Sequence, residues 1–173
     1  QSRVFFLPKG VPTVVWVSLI GHAFMEGYDQ LKDQRYLDTA ISSCEHIIHD
    51  LETHPDGDDL CISYIPTENK QVHNANTLAS SLLARVHAAA PNAAYLDLAT
   101  KAINYTVKYQ REDASWYYGE KSNLHWVDNF HTAYVLDSIK YYMEGSGNWN
   151  QLDKMMRGYE YWKKTFFLED GTP

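Results

Sequence analysis

The chain repeats itself. Laid along its own sequence, "DDLCISYIPTENKQVHNANT" (58–77) runs beside "EDASWYYGEKSNLHWVDNFHT" (112–132). Asp59 falls on Asp113 and Tyr64 on Tyr118. After one extra residue, Val72-His73-Asn74-x-Asn76-Thr77 falls on Val127-Asp128-Asn129-x-His131-Thr132. Upstream, "YLDTA" (36–40) matches "YLDLA" (95–99), Leu152-Asp153 stands in for Leu96-Asp97, and a third copy opens at Glu169-Asp170-Gly171. The matched pairs set a period of 54 to 59 residues. Tetratricopeptide and HEAT units are shorter, so each unit here holds a larger motif.

Each unit contains two helical segments of different character. The segments at about 33–51, 94–111 and 149–167 carry one apolar stripe at the helical period, such as Leu37, Ala40, Ile41, Cys44, Ile47, Ile48 and Leu51, with charge on the opposite face. Leu98, Ala99, Ala102, Ile103 and Val107 repeat that stripe in the second unit, and Leu152, Met155, Met156, Tyr159, Trp162 and Phe166 in the third. The segments at about 12–28, 74–90 and 128–144 have, respectively, no charge before Glu26, only Arg85, and none between Asn129 and Leu136, which predicts burial on most sides. The order is therefore inner, outer, inner, outer, inner, outer: an all-α, two-layer α/α-hairpin array. Its repeats span about 12–51, 59–111 and 113–168 of one domain (1–173). Inner-to-outer links are short (29–32, 90–93 and 145–148), whereas outer-to-inner links are long (52–73 and 112–127). The long ones hold short β-like pieces, Cys61-Ile62-Ser63-Tyr64-Ile65 and Trp116-Tyr117-Tyr118, and all emerge at the end where inner helices begin. Long ordered loops in a compact array are usually functional, so a ligand is expected at that end.

Charge and motifs narrow the partners. The net charge is −7 and no basic cluster exceeds Lys163-Lys164, so no nucleic acid is expected. The most hydrophobic run, 11–25, is broken by Pro12, Ser18, Gly21 and His22. It is too short to span a bilayer and has no charged flank of a signal peptide, so no membrane is expected either. Cys44 and Cys61 form no disulfide framework and suit a reducing, cytoplasmic compartment. The histidines form no HExxH pair, "HPDGDD" lacks calcium-loop spacing, and no nucleotide-binding glycine motif occurs. No metal or cofactor is expected.

The stretches "YIPTENKQVHNANTLASSLLARV", "YLDLATKAINYTVKYQREDASWYYG", "HWVDNFHTAYVLDSIKYY" and "FFLEDGTP" cover most of the chain. They resemble a branch of the six-hairpin glycosidase-like toroids found in bacterial and archaeal polysaccharide-biosynthesis loci, the WxDNFHT and EDxSWYYG stretches being the more specific. The resemblance implies an (α/α)₆ ring and carbohydrate chemistry, without a particular reaction. Six units of this period need ~340 residues. Three hairpins cannot close such a ring, so the chain looks like about half of one, a fragment of a longer toroid. The Gly-Asp turns of that branch are replaced here by "APNAAYLD" and "GSGNWNQLD".

Asp128 opens an inner helix directly after an aromatic loop. It can cap the helix by accepting from the first free N–H groups. It can also act as general acid or base, should an apolar wall raise its pKa. In the Asp128-Asn129 pair, one residue can cap while the other faces inward. His131 follows on nearly the same face, as a proton shuttle, a ligand of a sugar hydroxyl, or a core histidine bonded to Asp128. Tyr134, one turn on, extends that wall. Asp128, His131 and Tyr134 are the catalytic candidates.

His73, Asn74 and Asn76 occupy the matching positions of the preceding repeat and, with Asn129, are expected to share one cavity. Trp116, Tyr118 and Trp126, with Tyr117 beside them, either stack on sugar rings or cover the helix ends. Glu120 is a further carboxylate, although loop glutamates are mostly solvated.

The expected function is a carbohydrate-active or carbohydrate-binding protein acting on a poly- or oligosaccharide, with hydrolase, lyase and epimerase left open. An inverting hydrolase needs two carboxylates about 6.5–9.5 Å apart, and only Asp128 is well placed. A lyase or epimerase needs a Tyr or His base and groups that stabilise a carbanion, which the Asn/His/Tyr lining suits slightly better. The competing expectation is a non-catalytic arc of helical hairpins that binds a protein partner. Open ring edges predict self-association.

Overall fold

The first inner helix starts where Thr13, in extended conformation, turns its hydroxyl back to accept the Trp16 N–H at 3.4 Å. From there α1 (Val14–Leu31) continues past the expected turn and stops at Lys32, whose left-handed φ of 53° ends it. Asp33 then caps α2 (Gln34–Asp50) by accepting the Arg35 N–H at 3.0 Å. The computed structural model describes residues 7–67 and 70–173. It continues with β1 (Thr53–Asp56), β2 (Asp59–Ile62), α3 (His73–Ala89), α4 (Ala93–Lys108), a 3₁₀ turn at Ser122–Leu124, α5 (Asn129–Ser146) and α6 (Leu152–Phe166).

The strands form one antiparallel ribbon pairing Thr53 with Ile62 and Asp56 with Asp59. The β-like piece expected at 61–65 thus begins earlier and uses the chain before it. Asp56, at the ribbon's tip, binds Lys108 Nζ at 2.8 Å and the Tyr109 hydroxyl at 3.1 Å, fastening the loop to α4.

Three hairpins, α1–α2, α3–α4 and α5–α6, stand side by side, and α3 packs against both α1 and α5. This is the all-α two-layer array read from the hydrophobic pattern. The outer stripes of α2 and α4 fall where expected, with Leu37, Ala40, Cys44 and Ile47 on α2, and Ala99, Ala102 and Ile103 on α4, buried; that of α6 does not, Leu152, Met156 and Tyr159 being exposed. The inner helices differ from expectation. Only α3 is enclosed along its length, every residue from His73 to Val86 being buried except Arg85. On α1 one side is covered (Val14, Ser18, Gly21, Met25), while Trp16 and Ile20 on the other are 65% and 51% exposed. Phe130 on α5 is 63% exposed, and α6 buries only Gly158. The physical reason is position. Helices α1 and α5 end an open arc and have an inner neighbour on one side only.

Close approach of α3 and α5 needs glycine at one point. A Cβ on Gly145 would lie 2.6 Å from the carbonyl carbon of Ala84 and 2.7 Å from its oxygen. The long loops meet at the end where α3 and α5 begin. Val72 bridges Gly119, His73 N–H donates to Tyr118 O and Glu120 N–H donates to Gln71 O, both at 3.0 Å. A Cβ on Gly119 would sit 2.4 Å from Gln71 O, so this crossing also requires glycine. Among the described residues, no helix is long and apolar enough to cross a membrane.

Two opposing effects decide the outcome of Gly145→Ala. Alanine is the better helix former by about 1 kcal/mol, but the added methyl meets backbone that cannot rotate away, and overpacking costs about 1–3 kcal/mol. We expect a net loss of stability, seen as a lower urea midpoint. A raised midpoint would mean that α3 and α5 separate without cost.

Candidate functional site

Asp128 makes three contacts from one carboxylate. Oδ1 accepts the His131 backbone N–H at 2.8 Å, which is the α5 cap. Oδ2 lies 2.6 Å from His131 Nδ1 and accepts the Trp126 indole N–H at 3.1 Å. Burial by itself pushes this carboxyl's pKa up. The hydrogen bonds from the His131 backbone and ring, the charge of His131 and the Trp126 bond outweigh burial and hold it below the ordinary carboxylate value. The expected apolar wall that raises the Asp128 pKa is therefore corrected: its neighbours are donors, and donors favour the charged form. An ionised Asp128 has no proton to give, so the His131 ring presents Nδ1–H to it, and in the neutral ring Nε2 is an acceptor. The side chains of Asp128 and His131 are 37% and 31% exposed.

Aromatic rings enclose this pair. The edge of His131 meets Tyr118 at 4.5 Å and Phe130 at 5.5 Å. Tyr134, one turn along, stands perpendicular to Phe130 at 4.7 Å. Tyr118 and Trp126 stack on each other at 4.5 Å. Asp128, His131, Asn74, Trp116, Tyr118 and Trp126 line one crevice of only about 10 Å³, room for about one water molecule.

Other residues expected at the mouth lie elsewhere. Asn76 is fully buried: its Oδ1 accepts the Ile62 N–H at 2.9 Å, and its Nδ2 donates to Ala102 O at 2.7 Å and Thr106 Oγ1 at 3.0 Å. It staples β2 and α4 to α3. His73 is buried too, with Nδ1 at 3.2 Å from Thr106 Oγ1 and Nε2 at 2.6 Å from Glu120 Oε1. Because Thr106 accepts from Asn76, its own proton is available to His73 Nδ1, and His73 Nε2–H then points at Glu120. Asn129 turns outward, its Oδ1 accepting the Trp162 indole N–H at 2.7 Å. Trp116 is 2% exposed and donates its indole N–H to Thr106 O at 2.9 Å, so it covers the helix ends. The expected single cavity of His73, Asn74, Asn76, Asp128, Asn129 and His131 is thus reduced to Asn74, Asp128 and His131. Internal bonds claim the rest.

Two features escaped the sequence reading. Glu120, taken as a solvated loop residue, contacts a buried histidine across 47 positions, and no spacing signals such a pair. Farther along the inner helices, His22 Nε2 lies 3.0 Å from Ser81 Oγ on α3. Burial first, then the positive charge of Arg85, push the His22 pKa down to about 4. Arg85 itself reaches Glu26 at 2.8 Å and Asp29 at 2.7 Å and lies over Tyr141 at 5.4 Å, clamping α1, α3 and α5 together. A depression of about 450 Å³ opens beside it, lined by Met25, Tyr28, Lys32, Arg85 and Tyr141. It is larger than the crevice but far from the Asp128–His131 pair.

The Asp128 contacts predict a pH dependence. Its folded-state pKa is depressed, so its contribution to stability is present above the unfolded value of about 3.9 and is lost as pH falls through the lower folded value. Asn caps helices nearly as well as Asp. The variant Asp128→Asn should therefore stay folded yet lose this dependence, its urea midpoint changing less between neutral and acid pH than the parent's. Parallel midpoints across that range would contradict the assignment.

No protein-family profile matches the chain, and no curated protein sequence does. Solved structures do match it in fold. A sugar epimerase from a ruminal bacterium superposes with a TM-score of 0.77 at 14% identity, over 98% of this chain and 48% of its own. A family 76 glycoside hydrolase (mannosidase) from Bacteroides thetaiotaomicron does so at 0.72 and 16%, over 91% and 45%. An inactive variant of an α-1,6-mannanase of Salegentibacter, in complex with α-1,6-mannotriose, gives 0.72 and 15%, over 88% and 47%. The chain spans about half the length of these proteins. It has the fold of the six-hairpin glycosidase-like (α/α)₆ toroids, with three hairpins where those rings have six.

Proposed function

We propose that the chain is part of a carbohydrate-active protein that holds a poly- or oligosaccharide where the inner helices begin. In this reading His131 moves a proton and Asp128 positions it. The observation that carries it is the 2.6 Å contact between Asp128 Oδ2 and His131 Nδ1. An ionised carboxylate fixes one ring nitrogen as donor and leaves the other to accept at a partly exposed position. Tyr118 and Phe130 lie against the His131 ring, Trp126 stacks on Tyr118 and Tyr134 stands against Phe130, and aromatic faces suit the apolar faces of sugar rings. The crevice is too small to hold a whole sugar, so the saccharide lies over its outer side, against His131, Phe130 and Tyr134. The mannanase bound to mannotriose and the sugar epimerase support a saccharide as ligand.

Abstraction and return of a carbon-bound proton, as in an epimerase or lyase, fits these groups better than hydrolysis. A hydrolase needs two carboxylates free to act, whereas Asp128 is held by three donors and Glu120 by His73. A partly exposed histidine base oriented by a carboxylate meets the demand of proton abstraction. The two free, buried cysteines fit a reducing, cytoplasmic setting.

The test uses the protein at its natural full length with neutral and acidic oligosaccharides in heavy water, followed by mass detection. Deuterium should enter a carbon position, and His131→Gln should lower that exchange at least a hundredfold, within the range of a lost general base. Turnover unchanged in His131→Gln would remove the proposal.

A second reading rests on the open edges. Trp16 and Ile20 project from α1, while Ala133, Leu136, Met155, Met156, Tyr159 and Trp162 border an apolar groove of about 450 Å³ between α5 and α6. Apolar surface of this kind favours association. Light scattering of the 173-residue chain should give at least twice the mass of one 20.0 kDa chain. A monomer at every attainable concentration would count against it.

A further inference from the structure

Asn74 is the polar group of the crevice whose acceptor is unaccounted for. It sits in the first turn of α3, only 4% exposed, and its Oδ1 is buried with no hydrogen-bond partner. Three neighbouring residues are committed. Asp128 accepts from His131 and Trp126, Trp116 donates to Thr106 O, and the Thr132 hydroxyl donates to Asp128 O at 2.7 Å. His131 Nδ1 is held by Asp128, which leaves Nε2 without a protein partner among the described residues. Asn74 and His131 both line one crevice, and it has room for a single oxygen atom. A buried acceptor without a donor costs about as much as a lost hydrogen bond. The arrangement calls for an O–H donor.

We infer that Asn74 Oδ1 and His131 Nε2 together bind one O–H group in this crevice: a water in the resting protein, displaced by a saccharide hydroxyl on binding. A water has two protons and can donate to both acceptors. A sugar hydroxyl donates its one proton to Asn74 Oδ1 and enters as a plug, its ring lying outside over His131 and Phe130, which leaves the Nε2 lone pair free for the proton it moves. Asn74 is then a ligand-binding residue, and the hydroxyl it holds lies beside the nitrogen that moves a proton. This role rests on the saccharide reading above.

The variant Asn74→Leu separates a binding role from a structural one, because the two predict opposite signs. Replacing a buried acceptor whose only partner is a water that leaves with it, by an apolar side chain of similar volume, is nearly neutral or stabilising. The variant should therefore match or exceed the parent in urea midpoint, lose the crevice water, and bind saccharide about tenfold more weakly, the equivalent of one hydrogen bond. Asn74→Ser, which keeps an acceptor oxygen, leaves room for the water and adds no charge beside Asp128, should keep the water, and serves if the leucine variant does not fold.

The water is read from its long residence time by magnetic relaxation dispersion. Saccharide binding is read by titrating the full-length protein with mannotriose and with cellobiose. Equal sugar affinity in parent and Asn74→Leu, with no long-lived water in either, overturns the assignment and leaves the saccharide reading standing. A water present in the parent and lost in Asn74→Leu, with no sugar bound by either, keeps the O–H site and removes the saccharide reading. A clear loss of stability in Asn74→Leu, with the water signal unchanged, makes Asn74 structural and overturns the inference.

Discussion

The burial of α3 is the constraint on which the rest depends. A helix with neighbours on every side cannot leave its polar groups to solvent, so each must find a partner or define a site. Asn76 bonds to β2 and α4, Ser80 donates to Ala99 O at 2.7 Å, and Ser81 donates to Leu78 O at 2.9 Å. His73 reaches Thr106 and Glu120. Of these, the Asn76–Ile62 and His73–Glu120 bonds fix the two long loops over the start of α3, the second of which carries Tyr118 and Trp126. Removing one would do more than weaken a helix; it would release the cover of the site.

Asp128 shows how local bonding can reverse a plausible chemical role. Partial burial disfavours its charged form, yet three donors converge on its two oxygens and the charged form prevails. The carboxylate becomes the fixed element and the imidazole the adaptable one. A cap and a positioning group are thereby the same residue, because the ring three positions on lies on the same face of the helix as the cap oxygen. The Asp128–His131 pair is local in sequence, as are Trp126, Phe130 and Tyr134, whereas Tyr118 comes from farther back in the loop that leads into α5. Its chemistry depends on the loop crossing at Gly119.

The helices and their alternation were readable because burial leaves a periodic imprint. The three-unit repeat, the apolar stripes of α2 and α4 and the location of the long loops all come from patterns within a few turns of chain. The Asp128–His131 contact was readable for the same reason, being three residues long. The company of His73, Asn76 and Asn129 was misjudged. Polar residues at matching repeat positions look alike in a string of letters, but a rotation of one helix about its axis turns Asn76 toward α4 and Asn129 toward Trp162. Trp116 likewise looked like a sugar platform and is a core residue packed on Gly158.

Hydrophobic periodicity and helix-end chemistry, both short-range, were enough to settle the element order, the two layers and the capped start of α5. Which polar side chains meet was decided only by packing, since contacts such as His73–Glu120 and Asn129–Trp162 join positions 47 and 33 residues apart. Distance along the chain carries no record of such meetings. They exist because three helices and two loops occupy the same few ångströms.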